Sequence, residues 1–223
     1  MLPKVILHNA VSLDGRIDWF TPDVEQFYAL ISEWKEDATL AGSETIFNAT
    51  ESPFTDEGSQ EEIKKEFDEN RPLLVVPDSQ GRMRNWNYWR RQPYWRDIIV
   101  LCSLSTPENY FEFLDEKHIQ YIVAGTNRVD LRAALEELYE RFNVRVVRVD
   151  SGGVLNGVLL RSGLADEISL LVHPCLVGGA SPKSFFKAAD LSRKEDVIHL
   201  KLKKFEVIKN DLVWLQYEVE KKL

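Results

Sequence analysis

A valine-rich run that reads as a strand, VRVVRVD (144–150), leads into Ser151-Gly152-Gly153 and continues directly as VLNGVLL. A strand that passes into a helix through so short a turn is the repeating unit of a parallel sheet, so this stretch constrains the fold more than any other. Glycine lets main chain approach a ligand closely and adopt positive φ. A helix N-terminus presents free N–H groups and a partial positive charge. Two readings are open at this turn: a site for an anionic group, or a tight structural turn. The spacing is not G-x-G-x-x-G, so the usual dinucleotide fingerprint gives little support.

The same alternation of strand and helix patterns runs along the chain. KVILHNA (4–10) reads as a strand entering the loop SLDGRID. Val24, Phe27, Tyr28, Leu30, Ile31 and Trp34 recur every three or four residues, which predicts a helix over 23–35 with Pro22 and Asp23 in its first turn. A buried strand is expected at 38–42, with a helix starting at Ser43. Strands are expected at 72–78, 98–102 and 119–125. Between the last two lies a helix at 106–117, with Thr106 as N-cap and Pro107 at the first helical position. DLRAALEELYERF (130–142) predicts a helix with Leu131, Ala134, Leu135, Leu138 and Phe142 on one face. A helix at 153–163 and a strand at 166–174 follow. Residues 204–220 read as a hairpin turning at Asn210-Asp211. Residues 50–71 are polar and acidic and read as a solvated loop with a surface helix. The expected fold is α/β: a mainly parallel sheet flanked by helices, with an antiparallel C-terminal hairpin, in a single domain over 1–223.

Charge and composition narrow the function. A formal net charge of −8 argues against a nucleic-acid partner, because phosphate backbones call for a basic surface. Apolar residues make up 44%, enough for a real core, yet no apolar run approaches the length of a membrane span. The N-terminal apolar run is short, contains His8 and Asn9, and lacks a cleavage-site pattern, so it reads as a first strand and not a leader. Cys102 and Cys175 read as thiols in a reducing compartment. The four histidines fall at no metal-ligand spacing, so no metal is expected. His173 reads as a satisfied interior histidine, and Glu167 as a cap or salt-bridge partner. The expectation is a cytoplasmic protein acting on a small molecule, with no membrane and no nucleic acid.

Two more segments could carry chemistry. HPCLVGGA (173–180) is a second strand ending in paired glycines, Gly178 and Gly179, and ligands sit at the carboxyl ends of strands in open parallel sheets. It reads equally as a loop that needs a flexible backbone. NAVSLDGRID (9–18) offers Asn9, Ser12 and Asp14 in a loop after the first strand, either to orient a substrate or to form an Asx-type turn. The segment RNWNYWRRQPYWRD (84–97) interleaves aromatics with arginines. It reads as a dimer-contact or core-covering loop, or as a flap that stacks on a flat ring.

Taken in order, N-A-x-S-L-D-G from Asn9, D-x-x-L-x-G-x-x-T in Asp37–Thr45, D-S-x-G-R in Asp78–Arg82, G-G-x-L-x-x-x-L-L-x-x-G-L-x-D-E in Gly152–Glu167 and P-x-L-x-G-G in Pro174–Gly179 resemble the reductase domain of the bifunctional riboflavin-biosynthesis deaminase/reductase and its stand-alone relatives. The resemblance implies a dihydrofolate-reductase-like fold, a homodimer and NADPH as hydride donor. It implies reduction of the ribosylamino group of a pyrimidine 5′-phosphate to the ribitylamino form. It further implies that Asn9, Ser12 and Asp14 line the reaction centre. Gly42 and Thr45 would lie beside the nicotinamide, and Ser151, Gly152, Gly153, Val154 and Leu155 at the pyrophosphate. Gly178 and Gly179 would close over the cofactor, with Ser79 and Arg82 at the adenosine end.

The chain departs from the family pattern after Thr45. TIFNATESPFTDEGSQ has Asn48 near an expected acidic position, Pro53 comes late, and no Arg follows soon. A reductase of the same fold acting on another carbonyl, imine or pterin-like compound therefore stands beside the first reading. A non-catalytic nucleotide-binding protein is a third.

Overall fold

A computed structural model describes residues 1–49, 70–180 and 182–221. The loop and surface helix expected at 50–71 fall almost wholly outside the described residues. In chain order the elements are β1 (Lys4–Ser12), α1 (Val24–Ala29), β2 (Ala38–Ala41), α2 (Ser43–Asn48), β3 (Leu73–Pro77), α3 (Trp86–Arg90), β4 (Ile98–Cys102), α4 (Glu108–Glu116), β5 (Gln120–Val123), α5 (Leu131–Arg141), β6 (Val146–Asp150), α6 (Gly153–Arg161), β7 (Glu167–His173), β8 (Leu200–Val207) and β9 (Val213–Val219). The fold is α/β, and its antiparallel strands are the C-terminal ones, as the sequence suggested. The chain divides into two compact units, Met1–Pro3 with Glu36–Val147, and Lys4–Lys35 with Arg148–Leu223.

In the first unit the strands lie in the order β5-β4-β3-β2, each parallel to its neighbour. β3 and β4 are continuous apolar runs, LLVVP and IIVLC, as expected of strands covered on both faces. Leu74, Val76, Ile98 and Val100 pack in one cluster with Trp86, Trp89, Tyr110 and Leu114. The aromatic-arginine segment is therefore a core cover here: Trp86 and Trp89 are buried, whereas Tyr88 and Tyr94 are exposed. Two of its arginines bind locally. Arg84 lies over the rings of Tyr110 and Phe113, and Arg90 donates to the carbonyls of Lys117 and His118 at the end of α4. Beneath them, Trp86 Nε1 donates to Tyr110 Oη (3.0 Å), which donates to Asp78 Oδ2 (3.0 Å).

In the second unit the order is β6-β1-β7-β9-β8, with β1 parallel to β7, and with β9 antiparallel to both β7 and β8. The β1–β7 register pairs His8 with Ser169 and Ser12 with His173. Because side chains alternate along a strand, His8, Ser12, Ser169 and His173 share one face, and Asn9 points to the other. The first face packs against α1, whose Asp23 cap accepts from Gln26 N–H (2.9 Å).

Beyond shifts of a residue or two at several element ends, three departures from the sequence reading have a physical reason or consequence. The N-cap of α4 is Pro107, because Thr106 instead donates its hydroxyl to Ser79 O and accepts from Ser103 N–H. The first helix ends at Ala29 and continues as a 3-10 turn over Leu30–Glu33. β8 starts at Leu200, ahead of the expected 204, with a bulge between Leu202 and Lys204. The hairpin does turn at Asn210 and Asp211, both at positive φ (61° and 59°).

Candidate active site

The carboxyl ends of β1, β6 and β7 in the second unit hold most of the expected site residues. After β1 the chain makes a tight turn. Gly15, at φ +75°, lets Ser12 N–H reach Arg16 O (2.9 Å), while Ser12 Oγ accepts Arg16 N–H (2.9 Å). The Ser12 hydroxyl donates to Asp14 Oδ1 at 2.6 Å. Asp14 also accepts from the N–H groups of Val177 (3.1 Å) and Gly178 (2.7 Å). Ser12 first, then these two amides, hold the Asp14 carboxyl well below the usual carboxylate range. Arg16 completes the clasp, donating to Gly179 O (2.7 Å) and Pro182 O (3.3 Å). Gly178 and Gly179 sit at φ +70° and +77°, where a side chain would be strained.

The other diglycine turn adjoins the same loop. Among the described residues a Cβ on Gly152 would meet only Ile17 Cδ1, at 3.6 Å. The two glycine turns thus flank residues 13–18 together and lie on one rim of this unit. Gly152 caps α6, and the N–H groups of Gly152, Gly153, Val154 and Leu155 have no partner among the described residues. Gly153 serves a different purpose. A Cβ there would overlap Ser184 O and crowd Lys187 N, and one on Gly157 would overlap Lys187 O. Both glycines seat the main chain of residues 184–188 against α6, and Lys187 N–H bonds Gly153 O at 2.9 Å.

Asn9 holds the turn from below. Its Nδ2 donates to Ser151 O (2.8 Å) and its Oδ1 accepts from Asn156 Nδ2 (2.8 Å). Asn156 and Arg16 were not singled out in the sequence. Asn156 left one signal, an amide on the apolar face of VLNGVLL; Arg16 left none beyond its place beside a turn glycine.

The opposite face carries a buried polar relay. Trp214 Nε1 donates to Ser169 Oγ (2.8 Å), which faces His8 Nδ1 (3.0 Å), and His8 Nε2 faces Phe27 O (3.1 Å). The carbonyl assigns the proton to Nε2, so Nδ1 accepts from Ser169. Burial above all pushes His8 down to about 3, and the nearby Arg148 charge acts in the same direction. His173 is likewise satisfied: Nδ1 faces Leu171 O and Nε2 accepts from Asp23 N–H. Glu167 pairs with Lys4 (2.7 Å) and Lys203 (2.6 Å), as a structural bridge.

In the first unit, Gly42 is the N-cap of α2 and accepts from Thr45 N–H (2.9 Å). Arg82 pairs with Glu44 of the same helix (2.5 Å) and lies over Phe47. Ser79 Oγ accepts from Val129 N–H (3.0 Å). So Gly42, Thr45 and Arg82 gather around the start of α2, while Ser79 anchors a neighbouring loop. Among the described residues no helix is long and apolar enough to cross a membrane, and no three potential ligands cluster around a metal position.

The model of the RibD C-terminal domain matches residues 3–214. A protein of Methanothermobacter thermautotrophicus named 2,5-diamino-6-ribosylamino-4(3H)-pyrimidinone 5′-phosphate reductase is 28% identical over 99% of this chain and 100% of its own length. One of the same name from Archaeoglobus fulgidus is 29% identical over 88% of this chain and 94% of its own. Among solved structures, a pyrimidine reductase-like protein from Corynebacterium diphtheriae superposes with a TM-score of 0.73 at 18% identity, covering 99% of this chain and 93% of that one. Acinetobacter baumannii RibD superposes at 0.68 and 18% identity over 98% of this chain, which spans 58% of the RibD chain. By this match over nearly its whole length, the chain belongs to the RibD C-terminal domain family.

Proposed function

We propose that the chain is an NADPH-dependent reductase. It converts the ribosylamino group of a pyrimidine 5′-phosphate to the ribitylamino form, as a single reductase domain working as a cytoplasmic homodimer. The names of the relatives support the reaction. One structural observation carries the cofactor reading. The start of α6 offers the N–H groups of Gly152, Gly153, Val154 and Leu155, which have no partner among the described residues, and a Cβ on Gly152 would make only ordinary contact, with Ile17 Cδ1 at 3.6 Å. Oriented main-chain donors at a helix N-terminus suit a diphosphate.

When bound, such a cofactor supplies hydride to an imine or aldehyde carbon of the ring-opened sugar. The chain's own residues position and enclose. Gly152, Gly153, Val154 and Leu155 receive the anion, and Asn9 fixes the turn beneath it. Asp14 and Arg16 hold the Gly178-Gly179 turn beside it. Asp14 stays ionised and accepts three hydrogen bonds, so it acts as an anchor and not as a proton donor.

The homodimer reading draws on β8. Leu200, Leu202, Phe205 and Val207 pair with Val219, Tyr217, Leu215 and Val213 of β9, all on one face, and all four are exposed. A row of this kind on an edge strand calls for a cover. Sedimentation would show a dimer, and Phe205→Glu a shift toward monomer.

The activity is tested by incubating the purified protein with NADPH and 2,5-diamino-6-ribosylamino-4(3H)-pyrimidinone 5′-phosphate. Loss of NADPH absorbance with a product heavier by one hydride and one proton is expected. Oxidation of NADPH only with another carbonyl, imine or pterin would move the assignment to that substrate.

A further inference from the structure

We infer that Asn156 is a positioning residue for the dinucleotide. It acts through Asn9 on the Ser151–Gly152 peptide and through Phe185 on the segment crossing α6. The inference rests on the proposed cofactor site and adds a residue to it.

Asn156 is fully buried on α6, and both hydrogens of its amide are used. One goes to Asn9 Oδ1 and the other to Phe185 O, each at 2.8 Å. Both partners are acceptors, which fixes the orientation of the amide. Asn156 Oδ1 has no partner among the described residues, so this side chain holds its place by donating. The orientation of Asn156 fixes that of Asn9, whose Nδ2 then faces Ser151 O at 2.8 Å. A trans peptide is planar, with its C=O and N–H on opposite sides. Holding the Ser151 carbonyl toward Asn9 therefore turns the Gly152 N–H away from Asn9. That N–H is one of the unpartnered donors proposed for the diphosphate.

The second arm reaches the crossing segment. Phe185 N–H bonds Gly15 O (3.2 Å) and Lys187 N–H bonds Gly153 O (2.9 Å). One amide thus ties three stretches that are far apart in sequence: the end of β1, the turn before α6, and residues 184–188. Gly153 and Gly157 make the approach possible, since side chains there would overlap this segment. A leucine at 156 would keep the bulk and remove both donations. It would leave the Asn9 amide free to turn and the Ser151–Gly152 peptide free to rotate.

The test compares wild type, Asn156→Leu, the milder Asn156→Ser, and Leu138→Ala in α5 as a destabilised control. Two readouts are used: NADPH affinity by fluorescence, alongside KM and kcat, and amide hydrogen exchange in the ligand-free protein. For Asn156→Leu the expected result is a KM and Kd for NADPH raised about tenfold with kcat changed less, as loss of one buried hydrogen-bond network implies. Exchange at Phe185 and Lys187 should rise in the same variant, and Asn156→Ser should fall between it and wild type. Leu138→Ala should melt earlier with NADPH affinity unchanged. Equal affinity loss in Leu138→Ala, or wild-type affinity in a folded Asn156→Leu or Asn156→Ser, would overturn the positioning role while leaving the cofactor reading intact. Failure of the wild type to bind NADPH would overturn that reading and this inference with it.

Discussion

The carboxylate of Asp14 accepts the main-chain N–H of Gly178 at 2.7 Å, joining residues 164 positions apart. The same carboxylate takes the Ser12 hydroxyl and the Val177 N–H, so one side chain binds the loop after β1 to the turn after β7.

Asp14→Ala removes the acceptor from three donors at once. The Gly178-Gly179 turn is expected to loosen, with KM for NADPH rising about tenfold and proteolysis appearing near 177–183. The depressed carboxyl also fixes the sign of the pH effect. Its contribution to stability is complete above the ordinary value of 3.8 and is lost only as pH falls through the depressed folded value. No limb of the pH–rate profile between pH 5 and 8 should therefore change in an Asp14→Asn variant.

His8 titrates in the opposite sense. It is neutral in the folded protein down to about 3, whereas the unfolded chain takes up a proton near 6.5. Below 6.5 the unfolded state gains protons and stability falls, by up to about 1.4 kcal/mol per pH unit until about pH 3. Denaturant unfolding of wild type and His8→Gln across pH 4–7 checks this, and the variant should show the shallower acid slope.

Gly157→Ala should destabilise without touching any proposed ligand contact, because the added methyl overlaps the main chain of Lys187. Overpacking costs of about 1–3 kcal/mol correspond to a melting temperature lower by roughly 2–10 °C in a chain of this length.

In the first unit, Tyr110→Phe leaves Trp86 Nε1 without its acceptor and takes a donor from Asp78, both buried. A loss of about 1–3 kcal/mol is expected in denaturant unfolding. Met83 N–H still holds Asp78 (2.9 Å), so the loop should keep its course.

Much of the fold was legible because period and punctuation agreed. The apolar runs of β3 and β4, the one-sided apolar spacing of α5 and the Asn210-Asp211 turn each state a local rule that tertiary structure left in force. Thr106 misled because its hydroxyl had a distant partner, Ser79 O, that local capping rules do not register. The site was half legible. Paired glycines marked both turns, yet sequence does not distinguish a glycine that leaves room for a ligand from one that leaves room for main chain. Gly153 is of the second kind, since a Cβ there would overlap Ser184 O, and Gly152 is proposed for the first. Asn156 and Arg16 stayed hidden because their partners are carbonyls and side chains far along the chain, at Phe185, Asn9, Gly179 and Pro182.

Titration of the isotope-labelled protein with NADPH, followed by amide nuclear magnetic resonance, tests the central claim most directly. Saturable shifts are expected for the N–H groups of Gly152, Gly153, Val154 and Leu155, accompanied by those of Gly178 and Gly179. Binding that leaves these amides unmoved, or no saturable binding at all, would contradict it.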